Sequence, residues 1–230
     1  EEYGYTLLEI QRCQFKNIYT FENHTDEATM DLTLAKTIEG LSSYSKKINP
    51  DLIVVHGDRV ETLAGAIVGS LNNILVAHIE GGELSGTVDE LIRHSVSKLS
   101  HIHFVSNEEA AKRLLQMGEV ASSVFTIGSP DIDIMFSNTL PCLEVAKEYY
   151  QIDFEKFAIV MFHPVTTEAN EMEQYTDNFV NCLLDDHHNY VVVYPNNDLG
   201  SKYIISTYKR FENNNRFRVI PSLRFEYFLN

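Results

Sequence analysis

Polar words stand wherever this sequence's apolar runs stop. His56-Gly57-Asp58-Arg59 follows the run IVV, and Glu80-Gly81-Gly82-Glu83 follows ILVAHI. Gly128-Ser129-Pro130-Asp131 follows VFTI, His163-Pro164 follows AIVMF, and Pro195-Asn196-Asn197 follows VVVY. A further cluster, Asp89-Glu90 with Arg93-His94, stands shortly after the second run. Carboxylates gathered with imidazoles and guanidinium groups suit proton transfer on a sugar or phosphorylated substrate. The carboxylates supply base, acid or cation stabilisation, while arginine forks onto phosphate or holds a carboxylate in place. Several carboxylates held close together also perturb one another's pKa values, which lets acid and base forms coexist near neutrality.

Most of these residues have a plainer reading as well. Asp58 in a turn caps a helix, leaving Arg59 in solvent. Glu80 before two glycines sits where backbone can approach a ligand, or else on a turn that points it outward. Thr87-Val88-Asp89-Glu90 has the form of a capping box, which would make Glu90 a helix-start residue. His163 before Pro164 reads equally as a packed strand-end histidine. Asp89 has no such structural role. It is spaced to pair with Arg93, and Glu90 with His94, each four residues apart on one helix.

The elements that must position these residues alternate in type. Strands are expected at 51–55, 74–79, 101–106 and 124–130, with helices at 60–72, 87–100 and 107–118 between them. The run at 51–55 is continuously apolar and β-branched, the pattern of a strand covered on both faces. In the helix at 87–100, Val88, Leu91, Ile92, Val96 and Leu99 form the expected core stripe, with Asp89, Arg93 and Ser97 on its flank. Ser106 or Asn107 caps the helix at 107–118, and Gly118 stops it. A helical bridge at 141–156 leads to a second alternation, with strands at 157–164, 190–196 and 216–222 and helices near 168–185 and 200–212. The resulting class is α/β with parallel sheets in two domains, 1–140 and 157–230. Ligands of such sheets bind outside the carboxyl ends of the strands, where the polar words stand.

Composition narrows the partners. A net charge of −15, from 18 basic and 33 acidic residues, argues against nucleic acid, which needs a basic face. No apolar stretch approaches the roughly 18 residues of a membrane span, so no membrane partner is expected. Cys13, Cys142 and Cys182 are too scattered for a disulfide framework or metal motif, and read as reduced, partly buried thiols of a cytoplasmic protein. No phosphate loop, dinucleotide fingerprint, zinc pair or nucleophile elbow is present, and the reading includes no metal and no cofactor. The sequence opens without Met and both ends fall in helical text, so flanking segments of a longer protein are expected.

Taken in order, HGDRVE, HIEGGELSGTVDELIRHSVSKLSH, GSPDID, HPVTTE and PNNDLGS resemble the UDP-N-acetylglucosamine 2-epimerase family. They are closer to its hydrolysing branch, since the non-hydrolysing branch reads HGDT and HVEAGLR here. EEYGYT resembles the end of a further family segment. The family's opening strand, and the late segment that grips the nucleotide, lie outside this sequence.

The resemblance implies two Rossmann-like domains in a glycosyltransferase-B-like arrangement, with the sugar nucleotide bound between them. It implies conversion of UDP-N-acetylglucosamine and water to N-acetylmannosamine and UDP through a 2-acetamido-glycal, in a homodimer or homotetramer. Carried over by position, Asp58, Glu80, Asp89 and His163 match the catalytic residues. The substrate-binding set is then His56, Arg59, Glu90, Arg93, His94, Ser129 and Asn196. The same chemistry on a nucleotide-linked 2,4-diacetamido-2,4,6-trideoxyhexose fits these motifs equally. A glycosyltransferase and a non-catalytic sugar-nucleotide-binding fragment are the readings from other classes.

Overall fold

The computed structural model describes residues 7–23, 29–196 and 200–229. EEYGYT and Asn197-Asp198-Leu199, all part of the motif reading, lie outside the described residues. The chain forms two compact units, residues 18–133 and residues 134–230 together with 1–17. Helix α1 (Leu7–Arg12) belongs to the second.

In the 18–133 unit, helix α2 (Met30–Ile48) precedes strand β1 (Leu52–His56), α3 (Val60–Leu71), β2 (Leu75–Ile79) and α4 (Val88–Lys98). Strand β3 (Ile102–Val105), α5 (Glu108–Gln116) and β4 (Val124–Thr126) follow, and α6 (Pro130–Met135) leads out of the unit. The four strands form one parallel sheet in the order β1-β2-β3-β4. Helices α2 and α6 were not anticipated from the sequence. The Asn107 side chain caps α5 by accepting from the Ala110 amide at 2.8 Å, and Gly118 follows that helix with φ +92.

Helix α3 can lie close on the sheet because it carries Gly65 and Gly69. A Cβ at Gly65 would stand 2.7 Å from Val55 Cγ1, and one at Gly69 would collide with Val76. Val55, Ala66, Val76, Ile92 and Val96 form the core there, and Val105, Ala110, Ala111 and Leu114 continue it under α5. Burial of each Val, Ile or Leu side chain in these clusters contributes on the order of 1.5–3 kcal/mol.

The expectation of strands covered on both faces is corrected for this sheet. Leu52, Val54 and Leu75 are 42%, 56% and 50% exposed. The side chains of α3, α4 and α5 in these cores all pack against one face, that of Val55, Val76 and Val105, so alternate residues of β1 remain open. The core stripe expected on α4 holds at Ile92, Val96 and Leu99, which pack into this core, and is corrected at Val88 and Leu91. Leu91 is exposed and Ser97 is fully buried, so the helix turns toward the sheet the flank that carries Arg93 and Ser97.

In the second unit, α7 (Leu143–Tyr150) forms the core of the expected helical bridge. Strand β5 (Ala158–Met161), α8 (Met172–Asp185), β6 (Tyr190–Val193), α9 (Ser201–Tyr208), β7 (Phe217–Ile220) and α10 (Phe225–Phe228) follow. The sheet is parallel in the order β5-β6-β7. Here β6 is buried throughout, with Val160, Val192, Ile204 and Tyr208 on one side and Ile152, Val191 and Ile220 on the other. Cys13, Cys142 and Cys182 are exposed rather than partly buried. No described helix is long and apolar enough to cross a membrane.

Candidate active site

Parallel pairing puts the carboxyl ends of β1, β2 and β4 along one rim, and the chain makes sharp turns there. Gly57 (φ +78), Gly82 (φ +81) and Gly128 (φ +82) occupy the left-handed region that suits glycine. Glu80 adopts φ +65 without being glycine, a conformation that costs on the order of 1 kcal/mol and clusters at functional sites. It is held there by its own amide, which donates to the Phe104 carbonyl at 2.8 Å.

The Glu80 carboxylate is gripped at both oxygens. Ser129 donates its hydroxyl to Oε1 at 2.7 Å, and His56 Nε2 lies 2.9 Å from Oε2. Three strand ends therefore converge on one carboxylate. Burial pushes this carboxyl up. The Ser129 and His56 hydrogen bonds, together with the charges of His56 and Arg93, outweigh that effect and leave its pKa below the ordinary glutamate value. At neutral pH Glu80 is ionised, as a base must be.

Asp58 is the second fixed point. Arg93, with only 11% of its side chain exposed, reaches from α4 to form an ion pair with Asp58 Oδ2. The same guanidinium donates to the Glu83 carbonyl at 3.1 Å and to Ser85 Oγ at 3.4 Å. The expected pairing of Arg93 with Asp89 is thus replaced by one with Asp58, because the buried flank of α4 aims Arg93 inward. Asp89 lies on the exposed side and accepts from the Thr87 hydroxyl at 3.0 Å.

Glu90 shapes the loop before its helix. Its Oε2 accepts from the Ser85 and Gly86 amides, each at 2.8 Å, so it folds back onto the loop ahead of Thr87, and the expected capping box is replaced by this tie, Thr87 making no side-chain cap. These two amides, Gly86 first, hold the Glu90 carboxyl below its ordinary value. A depressed folded-state pKa means the tie is complete above the ordinary value of 4.5 and is lost as pH falls through the lowered one. The Ser85 and Gly86 amide proton signals should therefore move upfield on acidification in the wild type. In Glu90→Gln they should show no such carboxyl titration. His94 stands 4.0 Å from Glu90 Oε1, the expected i, i+4 partner at the edge of contact.

The remaining expected residues are placed as follows in each unit. Arg59 is exposed at the start of α3, 3.6 Å from Glu61. In the other unit, His163 Nδ1 and Asn196 meet at 3.4 Å beyond the ends of β5 and β6. Among the described residues no group of three or more His, Cys, Asp or Glu side chains is arranged to hold a metal ion.

Sequence reasoning missed the residues that hold the loops from beneath. Arg113 on α5 donates to the Gly82 carbonyl, and Asn107 donates to Glu83 Oε1 at 2.8 Å. A Cβ at Gly82 would stand 2.5 Å from the Ala110 carbonyl oxygen, so that loop rests on α5. His78, fully buried in β2, bonds to Gly57 and Ser97. A histidine inside the apolar run ILVAHI was the available signal.

A family model described as UDP-N-acetylglucosamine 2-epimerase matches residues 1–230. The chain is 50% identical over 227 residues to the UDP-N-acetylglucosamine 2-epimerase of Neisseria meningitidis serogroup B, covering 99% of this chain and 60% of that protein. It is 31% identical to the UDP-N,N'-diacetylbacillosamine 2-epimerase (hydrolyzing) of Legionella pneumophila, over 96% of this chain and 60% of that one. The chain thus spans about 60% of the length of these relatives. Among solved structures, the Methanocaldococcus jannaschii UDP-GlcNAc 2-epimerase in complex with UDP-GlcNAc and UDP aligns with TM-score 0.74 at 20% identity, covering 95% of this chain and 62% of that one. The likeness establishes the fold, α/β with Rossmann-like parallel sheets of the glycosyltransferase-B-like class.

Proposed function

The chain belongs to the UDP-N-acetylglucosamine 2-epimerase family, and on that premise we propose that it is part of a hydrolysing enzyme of that family. The reaction is conversion of UDP-N-acetylglucosamine and water to N-acetylmannosamine and UDP. The observation that carries this reading is the ionised Glu80, gripped by His56 and Ser129 at a strand-end rim where Arg93 also fixes Asp58.

The proton on C2 of the sugar is not acidic in the ground state, because no carbonyl adjoins it. Breaking the bond from C1 to the diphosphate oxygen builds oxocarbenium character at C1 and makes that proton removable. Glu80 takes it, the C2–H electron pair becomes the C1–C2 double bond, and UDP departs with the C1–O pair. Asp58 faces the developing positive charge and then accepts a proton from the water whose oxygen adds to C1. A proton delivered to the opposite face of C2 completes inversion, and Asp89, exposed on the first turn of α4, is assigned that delivery. Arg59 and His94 offset or orient charge in this unit. His163 and Asn196 are assigned to the nucleotide in theirs.

Release of the free sugar is favoured by the Legionella relative and by a 36% identical Campylobacter jejuni relative, both named as hydrolysing. Those names also keep a second substrate in view, a diacetamido-trideoxyhexose on a nucleotide. The 50% identity to the Neisseria UDP-N-acetylglucosamine enzyme favours the first. Incubating the protein with each nucleotide sugar tests both choices. Free N-acetylmannosamine and UDP are expected, whereas a nucleotide-linked epimer overturns the hydrolytic reading. Turnover of the diacetamido sugar alone overturns the substrate.

A further inference from the structure

We propose that His78 is a positioning residue for this reaction, acting as the buried pin that holds the Asp58 turn, the Glu80 turn and helix α4 in register. The inference rests on the functional reading above but is drawn from a residue to which that reading gives no part. His78 is 0% exposed at the fourth position of β2, two residues before Glu80. Its Nε2 lies 2.9 Å from the Gly57 carbonyl oxygen, and its Nδ1 lies 3.1 Å from Ser97 Oγ.

A carbonyl oxygen can only accept, so Nε2 must carry the proton. Nδ1 is then the acceptor and Ser97 the donor. The tautomer is thereby fixed by its neighbours. Burial lowers the ring's pKa to about 4, so it is neutral at pH 7. The third contact is steric, since a Cβ at Gly81 would stand 2.8 Å from both His78 Nδ1 and Ser97 Oγ. One ring thus touches the residue before Asp58, the residue after Glu80, and a helix position four beyond Arg93. An aliphatic side chain would fill this strand position without the desolvation a buried imidazole suffers, but it could not hold the Gly57 carbonyl. That carbonyl belongs to the peptide that joins Gly57 to Asp58, so its placement sets where the Asp58 carboxylate points.

The test compares His78→Leu, which keeps an apolar strand residue, with His78→Gln, whose amide N–H can still reach Gly57. His78→Leu is expected to lower kcat for free-sugar release about 100-fold with little change in KM, the scale of effect that a displacement of about 1 Å produces. His78→Gln should recover at least about tenfold of that loss, because one of the two hydrogen bonds is retained. In NMR spectra, the Asp58 amide signal should be displaced in His78→Leu and return toward its wild-type position in His78→Gln. The wild-type ring should be the neutral Nε2–H tautomer at pH 7. Equal kcat in the two variants, an undisplaced Asp58 signal, or an Nδ1–H or charged ring would each overturn the proposal. A wild-type protein that releases no free sugar would count against the functional reading, and the NMR comparison would still decide the pin.

Discussion

Glu80→Gln is expected to lower free-sugar release by at least about 10³-fold, within the range that a positioned general base contributes, while leaving the fold in place. The substitution removes charge and basicity but little else. Glutamine Oε1 can still accept from Ser129, and its amide can donate to His56 once that ring places its proton on Nδ1. The backbone bond from residue 80 to the Phe104 carbonyl is untouched, so the left-handed turn persists. Thermal denaturation should therefore lie near that of the wild type, and substrate should still bind. Near-normal turnover in Glu80→Gln would remove Glu80 as the base. Lost activity accompanied by a collapsed melting temperature would make it a structural residue instead.

Arg93→Met is the second large effect, and it should appear in both stability and rate. Arg93 neutralises Asp58 and spans to the Glu83 carbonyl and Ser85 hydroxyl, with little of its side chain in water. Methionine fills the same space but leaves a partly buried carboxylate and a loop carbonyl without their donor. The expected destabilisation is about 2–3 kcal/mol, the range for losing a hydrogen bond to a charged group. Turnover should fall about 100-fold, because the Asp58 and 83–85 turns lose their common anchor. Arg93→Lys should restore charge but not the two-directional fork, recovering stability more than rate. Melting curves set beside steady-state kinetics check this. A lysine variant with full activity would mean that charge alone suffices.

The strand ends were legible in the sequence because apolar β-branched runs stop abruptly at His56, Glu80, Ser129 and His163, and parallel sheets collect such ends on a rim. What the helices do against that rim was less legible. Apolar periodicity pointed the α4 core stripe through Val88 and Leu91, yet Leu91 is 69% exposed while Ser97 and Arg93 turn inward. Their partners, His78 and Asp58, lie 19 and 35 residues away in sequence, beyond any local pattern. For the same reason Asp89 read as a partner of Arg93, when a carboxylate on another loop offered a more buried site. Glu90 was suspected as half of a capping box, but the donors it accepts from, the Ser85 and Gly86 amides, lie before the Thr87 cap position and depend on a loop conformation that only Gly86, at φ +68, hints at. The two-sided burial read into β1 failed because an apolar run reports what a strand can bury, not what covers it.

Elimination followed by hydration at the Glu80 rim requires that the C2 proton exchange with solvent. Turnover of UDP-N-acetylglucosamine in deuterated water tests it most directly. The expected product is free N-acetylmannosamine with one deuterium at C2, alongside UDP, and Glu80→Gln should yield neither at an appreciable rate. Free sugar that keeps its original hydrogen at C2, or a product still joined to the nucleotide, would contradict it.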